Sequence, residues 1–348
     1  MKKILLLVSL LYVTISLKAQ SFYEMYKEDV STYMTHYAKP LFEANMLNFS
    51  DAWVHHAGTE GAFSVSLSIS AHYATVPEKY QSFYFIPSEY THFQLVDTSG
   101  NIQTDPTKIP TVFGGKTEYK IRITAPHSVP GTVKYVDLKA LQGFKQEIED
   151  NIKYLPVGMP GANMQLTVGF PFHTQVMLRY FPKVSYSGIG ASLFGVGLKH
   201  EIGHYFLKDN KHFHIAAFAD YAGGSIQASY PSVTSLTADF HVNTYQIGAG
   251  VSYDAKIFSI YSNVSFIRGT SRLDIKGDYT YDYDIKDNSG HTIGTQSETI
   301  TDPLSLQYAL NTYKIATGIY VNIWILRIFA QYNIQRYPGF QAGISMHI

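Results

Sequence analysis

The sequence holds no cysteine among its 348 residues. This excludes a disulfide framework, a thiolate nucleophile and a lipid-bearing cysteine behind a leader. Charge is scarce as well: 16% of residues are Asp, Glu, Lys or Arg, against about 25% in ordinary soluble domains. Basic and acidic residues number 27 each, so no positive excess points to nucleic acid. After the first twenty residues, no apolar run approaches the ~18 residues that read as a membrane-spanning helix.

What the chain does contain begins with "MKKILLLVSLLYVTISLKAQ". Two lysines, an apolar run from Ile4 to Leu17 and a small residue, Ala19, before Gln20 predict a secretory signal peptide over residues 1–19. The chain also carries 28 tyrosines and 21 phenylalanines. An exported chain this aromatic and this poor in charge is expected to have surface that does not face water.

Met25, Val30, Tyr33, Met34 and Tyr37 fall at helical intervals, Pro40 interrupts them, and Leu41–Leu47 could continue. Residues 21–55 therefore read as short helices, within a segment 20–61 that plugs the main body or covers its periplasmic mouth. From residue 62 the period changes to two. In "FSVSLSISAHY", Phe63, Val65, Leu67 and Ile69 alternate with Ser64, Ser66, Ser68 and Ser70. A soluble sandwich strand would alternate in the same way. The segments are nearer the 9–11 residues of a membrane strand than the ~5–6 of a soluble one. They fall at 62–74, 83–96, 117–124, 162–170, 173–182, 188–199, 212–222, 240–253, 257–273, 308–322, 326–336 and 340–348.

The last of these segments ends at Ile348. Pairing it with the first removes an exposed sheet edge. The expected fold is all-β: a transmembrane antiparallel barrel over 62–348 with about 12 strands, in a range of 10–14. Short turns near 171–172, 254–256 and 322–326 lie on one side and long connections on the other, as in bacterial outer-membrane barrels. Before residue 160 this rule is not clearly obeyed, because the connection from Asp97 to Lys116 is long on the short-turn side.

The pair "LTVGFPFHTQVMLRYFP" and "LFGVGLKHEIG", with the helical preface and the "KAQ" leader ending, resembles an uncharacterised family of Bacteroidota outer-membrane β-barrel proteins. That resemblance implies an outer-membrane barrel and brings no substrate or catalytic residue. More loosely, the architecture is similar to the long-chain fatty-acid outer-membrane transporters, whose N-terminal segment plugs the lumen.

Two groups of residues carry possible chemistry. "HEIGH", residues 200–204, matches the H-E-x-x-H signature of zinc hydrolases. That chemistry needs both histidines on one helix, whereas the flanking sequence alternates like strands. Leu207 and Asn210 also stand where a metzincin places glycine and its third histidine. A metal site from His200, His204, His212 and His214 stays open as an alternative to a plain polar turn. The second group lies on the polar strand faces: Lys120, Arg122, Arg179, Lys199, Lys314 and Arg327, with Asp220 and Asp254. These residues predict a basic lumen, which either favours anionic solutes or pairs with plug acids such as Glu24, Glu28, Asp29 and Glu43. Tyr73, Tyr180, Tyr221, Tyr253, Tyr313 and Trp324 near strand ends suit an interfacial aromatic girdle.

The leading reading is a bacterial outer-membrane channel or transporter for a small hydrophobic or anionic solute. It is expected to be no enzyme and to need no cofactor, with membrane lipid and a small solute as partners and no nucleic acid. The alternative is a scaffold or assembly partner of an outer-membrane complex. A zinc hydrolase built on HEIGH is the minor one.

Overall fold

The computed structural model describes residues 2–124, 135–151, 154–186, 188–207, 212–229, 237–255, 257–286 and 292–347, with the side chains of the first helix described from Tyr26 onward. Asn210, Ile348 and the side chains of Glu24 and Met25, which entered the reading above, lie outside this description.

Ten strands close into one antiparallel barrel. They are β1 (Val65–Thr75), β2 (Gly158–Phe170), β3 (Thr174–Tyr186), β4 (Ile189–His200) and β5 (Phe213–Ser229), then β6 (Thr237–Asp254), β7 (Phe258–Lys276), β8 (Leu304–Ile323), β9 (Leu326–Ile334) and β10 (Gly339–His347). Each strand pairs with its neighbours in sequence, and β10 returns to β1 with Ser66 opposite His347 and Ile69 opposite Ile344.

The alternation is realised inside out relative to a soluble protein. Along β1 the inward residues Ser66, Ser68, Ser70 and His72 are buried, whereas Val65, Leu67 and Ile69 are exposed on the outside. The other strands repeat this: Leu166, Val196, Ile247, Val264, Ile319 and Ile344 face outward and exposed, while Gln165, Lys199, Gln246, Asn263, Lys314 and Gln341 are buried within. Such an apolar belt is unfavourable against water and favourable against lipid, and closure leaves no unpaired strand edge in the hydrocarbon. Among the described residues no helix is long and apolar enough to cross a membrane.

The expected twelve strands become ten. Segments 83–96 and 117–124 belong to a long insertion, residues 76–157, between β1 and β2. Their pieces Ser82–Phe85, Phe93–Val96 and Lys120–Thr124 pair with Thr107–Pro110 and Tyr135–Lys139 in two small sheets. Here the apolar faces are covered: Phe85, Leu95, Ile109 and Ile121 pack with Tyr26 and Tyr33 of the N-terminal helix. With these strands removed, the longest connections fall at one mouth, although short links from Tyr186 to Ile189 and from Ile334 to Gly339 lie there too. The mouth holding both barrel ends has the turns 171–173 and 324–325 and the ends of β4 and β6. The opposite mouth holds the insertion and the hairpin Asp278–Lys286/Thr292–Thr301.

The N-terminal helix α1 runs unbroken over Lys2–Ser50 with Pro40 inside it, where short helices over 21–55 were expected. Proline removes a backbone donor and crowds the preceding turn. The turn survives because the insertion closes around it: the Val112 amide donates to the Tyr37 carbonyl (3.1 Å) and the Tyr37 hydroxyl donates to the Gln142 carbonyl (2.7 Å). The helix ends where Ala52 takes a left-handed conformation (φ 62°), with the Ser50 hydroxyl donating to the Leu47 carbonyl (2.8 Å).

Candidate functional site: a plugged lumen

An eight-stranded barrel is just filled by its own side chains, and barrel diameter grows with strand number. Ten strands leave room for about one more segment of chain. Residues 38–61 take that room, entering through the insertion-side mouth as the last turns of α1 and leaving at the terminal mouth to begin β1.

The upper part of the plug is apolar. Phe42, Met46 and Leu47 are fully buried among Phe240, Val242, Ile267, Leu306 and Leu310 of the wall. Phe42 stacks on Phe240 and Tyr308, with ring centroids 5.5 and 5.8 Å apart. Burial of this kind is worth about 1.5–3 kcal/mol per side chain. Glu43 is the polar exception: it accepts from the Tyr308 and Tyr337 hydroxyls (2.5 and 2.6 Å) and pairs with Arg336 (3.0 Å).

Below Ser50 the wall is mixed: Trp53 and Val54 pack on Met177, Phe218 and Ala222, and wall cations hold the rest of the plug. Lys314 donates to the Ser50 carbonyl (2.7 Å) and to Asp51 (3.1 Å). Arg179 lies over the Trp53 ring, 3.8 Å from its centroid, and donates to Gln165 (3.0 Å). Lys199 donates to the carbonyls of His56 and Gly58, both at 2.8 Å. Arg327 pairs with Glu60. Wall glycines make the seats: a Cβ on Gly224 would lie 2.6 Å from the Phe49 ring, one on Gly195 2.8 Å from Trp53, and one on Gly197 3.0 Å from Trp53. Beside residues 53–60 there remains a cavity of about 70 Å³, large enough to admit water.

Most of the expected lumen residues are thus brought together. Arg179, Lys199, Asp220 and Lys314 are buried on the inner face, and Arg327 and Asp254 stand inside the terminal mouth. Lys120 and Arg122 are elsewhere, on the insertion strand Lys120–Thr124. There Arg122 forms two hydrogen bonds with Asp137 (2.7 and 2.8 Å) and holds that carboxyl below its ordinary range. Among the named plug acids, Glu43 binds wall residues. Asp29 instead accepts from the amides of Thr91, His92 and Phe93 in the insertion. Asp51, Trp53, His56 and Glu60 were not singled out. Their segment has no periodicity, and the available signal was Trp53, one of only two tryptophans in the chain. Of the aromatic girdle, Tyr180, Tyr253, Tyr313 and Trp324 are exposed, whereas Tyr73 is buried and donates to the Pro156 carbonyl (2.7 Å).

HEIGH divides between elements: His200 ends β4, and Ile202–Tyr205 form one 3-10 turn. His200 Nδ1 lies 2.9 Å from the Thr174 hydroxyl, His204 stacks on His173 (3.6 Å), and His212 Nδ1 lies 2.9 Å from the Asp254 carbonyl. His214 reaches Glu201, at 2.6 Å. Burial pushes the Glu201 carboxyl up, but hydrogen bonds from His214 and from the Thr59 hydroxyl and amide outweigh it and hold it down at about 2.

Fold and site together define a membrane-type up-and-down β-barrel closed by its own N-terminal segment. The chain belongs to the family described as "Family of unknown function (DUF6588)", which matches residues 1–348. No curated protein matches it. Among solved structures it is similar to Ail, the attachment invasion locus protein of Yersinia pestis, at 9% identity and TM-score 0.26, over 83% of this chain and 100% of that one. The outer membrane transporter YddB from Escherichia coli matches at 7% identity and TM-score 0.29, over 81% of this chain but 41% of that one. A Pseudomonas aeruginosa FadL homologue matches at 9% identity and TM-score 0.21, over 82% and 88%. At such values the architecture described above rests on the strand pairing of this chain itself.

Proposed function

We propose that the protein is a bacterial outer-membrane conduit for a small anionic solute, closed at rest and opened when residues 38–61 leave the lumen, with no catalytic role. The observation that carries this reading is the chemistry of the lower plug. Beyond a small apolar cluster of Trp53 and Val54 against Met177, Phe218 and Ala222, it is held by cations and carbonyls. Around it several buried polar atoms have no protein partner among the described residues: both Asp220 carboxylate oxygens, Arg179 Nη2, Trp53 Nε1 and both ring nitrogens of His55. Each such atom costs desolvation while the plug is seated and regains water when it moves. An emptied wall would display Arg179, Lys199, Lys314 and Arg327 against Asp220 and Asp254, a balance that favours anions. The division of HEIGH between a strand end and a 3-10 turn supports the non-catalytic reading.

The chain's lack of cysteine makes the test clean. The Ala57 amide donates to the Ser252 hydroxyl (3.2 Å), so a disulfide between Ala57→Cys and Ser252→Cys would tie plug to wall. In liposomes the oxidised pair is expected to block anion flux and the reduced pair to restore it. Equal flux in both states sinks the proposal.

A second reading, a scaffold within an outer-membrane complex, is favoured by the insertion. Its two small sheets and the middle turns of α1 build a separate apolar core above one mouth, a body suited to a protein partner. Absence of flux in the reduced pair and in plug-deleted protein would favour it.

A further inference from the structure

Glu201, His214, Asp254 and His56 form a chain of contacts across the terminal mouth. His214 Nδ1 lies 2.6 Å from Glu201 Oε1, and its Nε2 lies 3.3 Å from Asp254 Oδ2. His56 Nε2 lies 2.6 Å from Asp254 Oδ1, and its Nδ1 lies 3.2 Å from the Gly58 carbonyl. Each imidazole therefore aims Nδ1 at a fixed acceptor and Nε2 at the shared Asp254 carboxylate. A histidine that gives its Nδ1 proton to a carboxylate or carbonyl presents the Nε2 lone pair, the orientation found in metal-bound histidines. Two such lone pairs facing one carboxylate repel unless a cation joins them, and that cation is either a proton on each Nε2 or a single metal ion bound by both.

The surroundings hold this arrangement in place. Glu201 is anchored by the Thr59 amide (2.8 Å) and hydroxyl (2.7 Å). A Cβ on Gly58 would fall 2.5 Å from His56 Cε1 and 3.0 Å from His214 Nδ1, so glycine lets the rings close. Lys199, the neighbouring cation, is committed to the His56 and Gly58 carbonyls. The donor atoms of His56, His214 and Asp254 all lie within 4.8 Å of one another. A tetrahedral zinc ion with bonds of ~2.0–2.1 Å sets its ligand atoms about 3.3 Å apart, within reach of small side-chain rotations.

We propose that His56, His214 and Asp254 bind a divalent transition-metal ion of the zinc class, and that this ion fastens the plug to the barrel wall. Glu201 orients His214 without touching the ion. Two imidazoles and a carboxylate suit zinc better than calcium or magnesium, which take oxygen ligands. Because His56 belongs to the plug and His214 and Asp254 to the wall, the site exists only while the plug is seated. It uses neither histidine of HEIGH.

The test is a zinc titration of untagged, chelator-stripped, full-length protein in detergent, followed by calorimetry. One zinc per chain is expected, with affinity reduced at least tenfold by His56→Ala and by Asp254→Asn and unchanged by His204→Ala. Heat-modifiable gel migration first establishes that each variant is folded. Cobalt added to the unaltered protein gives a second readout that no variant can confound: the intense visible absorption of a four- or five-coordinate site. The proposal is overturned if stoichiometric zinc is absent, if His204→Ala weakens binding as much as His56→Ala does, or if cobalt shows only the pale spectrum of six oxygen ligands.

Discussion

Lys314 and Asp51 bury their charges almost completely, with side chains 4% and 1% exposed. A buried pair of this kind adds little beyond an apolar replacement, but breaking it strands a charge and costs about 3–5 kcal/mol. Lys314→Ala is therefore expected to destabilise the folded barrel by about that amount, while Lys314→Met combined with Asp51→Leu stays close to the unaltered protein. Urea unfolding in detergent measures both. Equal loss in the single and double variants would mean that the pair does not act as a unit. Lys314 was legible from the sequence because it stands on the polar side of an alternating run. Asp51 was not, because it lies 263 residues away in a stretch without period.

At the scale of elements, the fit between the plug and strand β4 decides whether the lumen closes. Trp53 rests against Gly195 and Gly197, and a side chain at Gly197 would meet both Trp53 and Met177 Cε, the latter at 2.8 Å. Overfilling such a seat costs about 1–3 kcal/mol when neighbours must shift. Gly197→Leu is expected to expel Trp53 and leave the β-ladder intact. In a Trp324→Phe background its fluorescence should then move to the red. Unchanged emission would show that the seat does not set the plug's position. Alternation alone revealed all ten barrel strands, and it also counted 83–96 and 117–124, because period two reports that a strand has two unlike faces without saying which is covered. In the barrel the apolar face is bare and the serine face packed. In the insertion the reverse holds, and Phe85 and Leu95 are completely buried. Pro40 likewise misled at this scale, since the contacts that carry α1 through it come from residues 112 and 142.

For the molecule as a whole, closure of the sheet, the outward apolar belt and the occupied lumen are linked consequences of strand number and pattern. Ten strands exceed what wall side chains fill, a polar inner face demands partners, and residues 38–61 supply both volume and hydrogen bonds. The bias of the wall toward positive charge was readable in advance, but its cancellation by Asp51, Glu60 and plug carbonyls required the folded chain. Conductance in planar bilayers tests this account most directly, comparing the full chain with a variant lacking residues 38–61. The full chain is expected to show only brief, infrequent openings, the ones that carry anion flux in liposomes, and the shortened barrel, once shown to be folded by heat-modifiable migration, to hold a steady anion-preferring conductance. A full chain that already conducts like the shortened one, or a folded shortened barrel that does not conduct, would contradict it.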